Sequence, residues 1–155
     1  MELEIPLLAL QTALAASVVT AWSIAAGNVH FDPIPTEPET LPTGVTSALP
    51  AAWVLVGLTA PIAAEGTQRA AGFGKVSALV PCVIIGRFAL PTSGNIATTK
   101  YSKVQDFLDL LTLTPTIYAG YRYWEVAVNL AEPPNYIEEF YEISISFNSE
   151  VVTDA

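Results

Sequence analysis

The clearest periodicity lies towards the C-terminal end. From Tyr141 the residues alternate without a break. Tyr141, Ile143, Ile145 and Phe147 share one side; Glu142, Ser144, Ser146 and Asn148 share the other. Strand side chains alternate between faces, so this segment predicts a strand with one buried and one wet face. Just upstream, Trp124, Val126, Val128 and Leu130 oppose Tyr123, Glu125, Ala127 and Asn129. Glu132-Pro133-Pro134-Asn135 interrupts the two runs, so residues 120–150 predict two strands joined by a turn.

The N-terminal pattern has a helical period. Leu7, Leu10, Leu14, Val18 and Trp22 fall on one side, and Ala9, Thr12, Ala13, Ala16, Thr20 and Ser23 on the other. The large-residue face suits a sheet, and the small-residue face suits close approach of a neighbouring subunit. Gly27-Asn28 is the expected stop of this helix. Residues 32–50 hold Pro33, Pro35, Pro38, Pro42 and Pro50, which predicts an extended arm or loop. An apolar strand is expected within 51–61, around Trp53 to Leu58. A Gly-rich hairpin loop is expected at 63–74, and a second apolar strand from Val76 to Ile85. Pro81 predicts a bulge or an edge position there. After a loop at 91–99, Val104, Phe107, Leu108 and Leu111 predict a second helix, with Ser102 and Gln105 as its capping box and Pro115 at its end. The expected fold is a single α+β domain. Its mostly antiparallel sheet has about four strands, packed with an N-terminal helix and a second short one.

Composition narrows the function classes. The chain is 52% hydrophobic and only 14% charged, against a usual charged share of roughly 25%. So much uncharged residue leans towards burial in an assembly. The net charge is −9, and the six bases are scattered without a run. Specific nucleic-acid binding, which needs clustered bases, is disfavoured. The opening stretch from Ile5 to Phe31 carries no Asp, Glu, Lys or Arg. Its flank holds Glu2 and Glu4 and no base, the reverse of a signal peptide, so a helix of the folded domain is expected and no membrane.

Chemistry is sparse. One cysteine, Cys82, sits in an apolar run and reads as a buried structural thiol. The single His30 lies two residues from Asp32, too little for a metal site. Gly72-Phe73-Gly74-Lys75 lacks the spacing of a phosphate loop, and there is no Gly-x-Ser-x-Gly elbow. Glu138, Glu139 and Glu142 form an acidic cluster; Glu138 and Glu142 share the polar face and read as a solvated or lumen-facing acidic stripe, while Glu139 falls on the apolar face. No catalytic, cofactor-binding or metal-ligating residue is singled out, and the chain reads as a non-enzyme.

Several segments together carry a family likeness: the Ala/Leu-rich helix from Leu7 to Ala26, leading to a Pro-rich segment; Leu49-Pro50-Ala51-Ala52-Trp53-Val54-Leu55-Val56; the strand Val76 to Ile85; the helix Lys103 to Leu113; and the closing strand pair. This order resembles the tail-terminator (tail-completion) proteins of long-tailed bacteriophages. The resemblance implies a virion protein of the tail or neck, assembled in the host cytoplasm. It implies a homo-oligomeric ring, commonly a hexamer, that caps the tail tube protein and meets the head-tail connector protein. DNA would pass through the lumen without specific binding. On this reading Trp22, Pro35, Pro38, Gly66, Gly72 and Phe73 are the interface candidates, and Glu138 and Glu142 the lumen acids. The alternatives are another phage neck or tail-tube protein, or a secreted or membrane-attached small domain with an N-terminal signal.

Overall fold

The computed structural model describes residues 3–33, 49–65, 75–113, 122–131 and 140–154. Two helices and six strands follow in the order α1 (Glu4–Trp22), β1 (Val29–His30), β2 (Ala51–Val56), β3 (Ala63–Glu65), β4 (Lys75–Ala89), α2 (Ile96–Leu113), β5 (Arg122–Asn129) and β6 (Phe140–Asp154). The strands form one sheet ordered β1-β2-β4-β6-β5, with β3 beside β4. The α+β class and the two helices match expectation. The four expected strands are β2, β4, β5 and β6.

Two short strands were not expected. β1 pairs parallel with β2, so the sheet is mixed. A parallel neighbour needs a long crossover, and residues 31–50 supply one. β3 lies at the start of the stretch read as a Gly-rich loop and pairs antiparallel with β4.

α1 ends at Trp22, earlier than Gly27-Asn28. Ser23 takes the left-handed conformation at φ 52° and closes the helix in the role usually left to glycine. Gly27 and Asn28 fall instead in a short 3-10 turn. α2 begins at Ile96, well before Ser102. Its cap is Asn95, whose Oδ1 accepts the Thr98 backbone N–H at 2.9 Å. Nothing from Ala97 to Tyr101 breaks a helix, so the expected capping pair Ser102 and Gln105 lies inside it, and Gln105 bonds forward to Asp109.

β4 and β6 pair along their full lengths, from Lys75↔Asp154 to Ala89↔Phe140, without a bulge. Pro81 therefore sits in a central strand, contrary to expectation. Its carbonyl accepts the Gly57 N–H at 2.7 Å, so that side of the residue faces β2 and β3. β2 ends opposite Cys82 and β3 begins opposite Leu79. The missing N–H of Pro81 thus falls in the gap between them, where no ladder bond is lost.

Both helices cover one face of the sheet. The core joins Leu10, Leu14, Val18 and Trp22 of α1 to Val104 and Phe107 of α2. Beneath them lie Val80, Cys82, Ile84 and Phe88 of β4 and Tyr141, Ile143, Ile145 and Phe147 of β6. Trp22 is its centre. Its ring meets Phe88 edge-on at 5.4 Å and Phe107 at 5.5 Å. Its indole N–H donates to the Lys103 carbonyl at 2.8 Å. A Cβ on Gly86 would stand 2.8 Å from both Trp22 Cζ3 and Phe88 Cε2, so glycine makes the seat for the indole. We expect Trp22→Ala to cost about 3–5 kcal/mol in urea unfolding followed by circular dichroism. Gly86→Ala should cost about 1–3 kcal/mol by overpacking; an unchanged midpoint would refute this seat.

Candidate functional site

The sheet's other face begins with an apolar patch. Ala51, Trp53 and Leu55 of β2 are buried there, with Val83 and Ile85 of β4 against them. A row of side chains crosses four strands from this patch. The His30 ring lies 5.3 Å from Trp53. The Arg87 guanidinium sits between two rings, 5.1 Å from Trp53 and 4.6 Å from Phe140. Its Nε donates to Glu142 Oε2 at 2.8 Å. Register explains the row, because Arg87 is directly opposite Glu142 and His30 opposite Trp53. A cation between aromatic faces with its charge matched is a cross-strand fastener.

This placement changes the reading of Glu142. The proposed lumen acid lies on the polar face of β6, as its alternation predicts, but its carboxylate is bound to Arg87. Trp22, an interface candidate, is 2% exposed and turned into the core, which its place on the large-residue face of the helix already implied. Pro35, Pro38, Gly66, Gly72, Phe73 and Glu138 lie outside the described residues.

Two further features were not read from the sequence. Arg87 was one scattered base, and only the β4–β6 register, which the sequence does not show, sets it against Glu142. Lys100 is 2% exposed, and its Nζ donates to the Leu130 carbonyl at 2.9 Å. It ties α2 to the end of β5, and no spacing in the chain announces that contact.

The reactive groups are poorly placed for chemistry. Cys82 lies in the core, its Sγ 3.4 Å from the Val80 carbonyl, and burial pushes the thiol up to about 12. Among the described residues no three His, Cys, Asp or Glu side chains gather where they could hold a metal ion.

The exposed surface is more distinctive. On the outer face of α1, Ile5 is 71% and Leu8 53% exposed. Ala9, Thr12, Ala16 and Thr20 continue that face in the open. The Thr12 and Thr20 hydroxyls donate back to the Leu8 and Ala16 carbonyls at 2.9 and 3.0 Å. By length and composition α1 could cross a membrane, but in this fold its large-residue face is occupied by the core. At the far end of the sheet, β5 pairs only with β6 among the described strands and shifts register between Trp124 and Ala127. Val126 and Val128 are 45% and 39% exposed. An open strand edge is a template for pairing, and a bulge restrains it.

No protein-family model matches the chain, and a search of curated proteins finds no match.

Two measurements test this description. The raised thiol value means that the folded state holds its proton where the unfolded state has lost it. Stability should therefore be full below about pH 9 and fall by up to about 1.4 kcal/mol per pH unit towards pH 12. Cys82→Ala should flatten that fall in alkaline urea titrations; an unaltered slope would contradict it. At the fastener, Glu142→Gln should cost less than about 1 kcal/mol, as exposed ion pairs do. Arg87→Ala should cost about 1–2 kcal/mol more, because it also strips packing from Trp53 and Phe140; equal losses would count against the sandwich.

Proposed function

We propose that this chain is a non-enzymatic structural subunit that works by assembling with copies of itself. The form we favour is a tail-terminator-like virion ring. Such a ring caps the tail tube and joins it to the head connector, with DNA passing through its lumen. One observation carries the self-assembling part. An acidic chain of net charge −9 leaves an uncharged helix face and an uncharged stretch of strand, Val126 to Asn129, open to solvent. Exposed apolar surface of this kind marks contact sites. The ring, its partners and its place in a virion rest on the resemblance in element order. The acidic balance supports that form, since six copies would carry about −54 and like charge keeps DNA from adhering to a wall.

A membrane-attached domain is the second reading, favoured by the length and apolarity of α1.

Native mass spectrometry and negative-stain images of the purified full chain test the proposal. A closed ring of about six subunits is expected. A monomer at every concentration, or association only with detergent, would overturn it.

A further inference from the structure

We propose that the exposed face of α1 docks on the same face of a second copy of this chain, the helices antiparallel about a two-fold axis near Thr12 and Ala13. The inference takes from the proposed function only that the chain associates with itself; it requires no ring.

Charge selects the partner. Two molecules of net charge −9 repel wherever both carry their acids. Residues 5–31 hold no Asp, Glu, Lys or Arg, the longest such stretch in the chain, and α1 displays much of it. A charged partner would lose hydration against this face and gain no counter-charge. The same face of another copy carries no charge from Ile5 to Thr20, and the one acid of α1, Glu4, stands exposed at its outer end, where the chain keeps it in water. Its threonine hydroxyls donate within their own helix, so covering them orphans no proton.

Shape selects the direction. The face is bulky at one end, with Ile5 and Leu8, and small at the other, with Ala16 and Thr20. Parallel helices would set bulk on bulk and leave a gap beyond. Antiparallel helices seat Ile5 of one copy over Thr20 of the other, and Leu8 and Ala9 over Ala16. Close packing favours that fit, and it brings opposite helix dipole ends together. The contact is self-complementary, as a two-fold requires. One face of a 19-residue helix falls short of the roughly 800 Å² per partner of a standard interface, so the pair is weak and concentration-dependent. A lipid surface fits less well, since helices that lie on membranes carry Lys or Arg flanking the apolar face, and α1 has neither.

Sedimentation equilibrium of the full chain from about 5 to 500 µM tests this. A monomer–dimer equilibrium is expected. Ala16→Lys should weaken it by about tenfold or more through a buried, unpaired charge, with an unchanged circular dichroism spectrum. Under oxidation Thr12→Cys should yield a disulfide-linked dimer. Thr20→Cys should not, because its two copies stand about 22 Å apart along the helices. Four results would overturn the proposal: a parent that stays monomeric, dimerisation unchanged by Ala16→Lys, Thr20→Cys linking as readily as Thr12→Cys, or a monomer that floats with phosphatidylcholine vesicles. Dimers without rings would sink the ring and leave this contact standing. Rings that survive Ala16→Lys while free dimers vanish would support both.

Discussion

The fold depends on the seating of Trp22 over Gly86. Without a side chain at Gly86, the indole lies against the sheet and reaches Phe88 on one side and Phe107 on the other. Its N–H ends on the Lys103 carbonyl, so the ring buries no unsatisfied donor. Three elements far apart in the chain meet at this one side chain: the end of α1, the end of β4 and the middle of α2. Phe88 extends the contact by stacking on Tyr141 at 5.4 Å, which carries it into β6, and Lys103 caps Phe88 at 5.0 Å. Both helices are thereby held to one face, and everything on the other face or on the outside of α1 is positioned as a consequence.

The two faces of the sheet are held by different physics. On the helix side, apolar volume is buried and only a few polar atoms go with it. The Ser149 hydroxyl is one, buried without a hydrogen-bond partner. On the opposite side the apolar patch is short and gives way to a charged sandwich, in which Arg87 joins Trp53, Phe140 and Glu142. Such a fastener is weak at a surface, yet it specifies which strand residues stand opposite each other.

Much of this was legible in the sequence where one periodicity ruled a segment. The alternation from Tyr141 to Phe147 names four buried residues of β6, and Ser149 and Val151 continue the same buried face beyond it. The large residues of α1 name its core face. The boundaries were harder, because they depend on local competition. Asn95 captures the start of α2 ahead of Ser102, and Ser23 adopts a conformation for which glycine was the natural guess. β1 and β3, of two and three residues, are too short for any period and exist through their partners. The candidate surface was half legible. The small face of α1 could be drawn from spacing alone, but the openness of β5 and the burial of Lys100 belong to tertiary placement, which a single chain of letters does not record.

Pro81 has a consequence for how β2 finds its place. A strand that slips by one residue turns its buried side chains outwards, so slips of two are the tolerated error. β2 shifted two residues along β4 towards β3 would face Pro81, where there is no N–H to donate. The proline therefore acts as an end-stop on the β2–β4 ladder. Gly57, turning away at φ 69° while donating to the Pro81 carbonyl, marks where the ladder must end. What looked like a defect in a central strand bars the β2–β4 pairing from slipping towards β3.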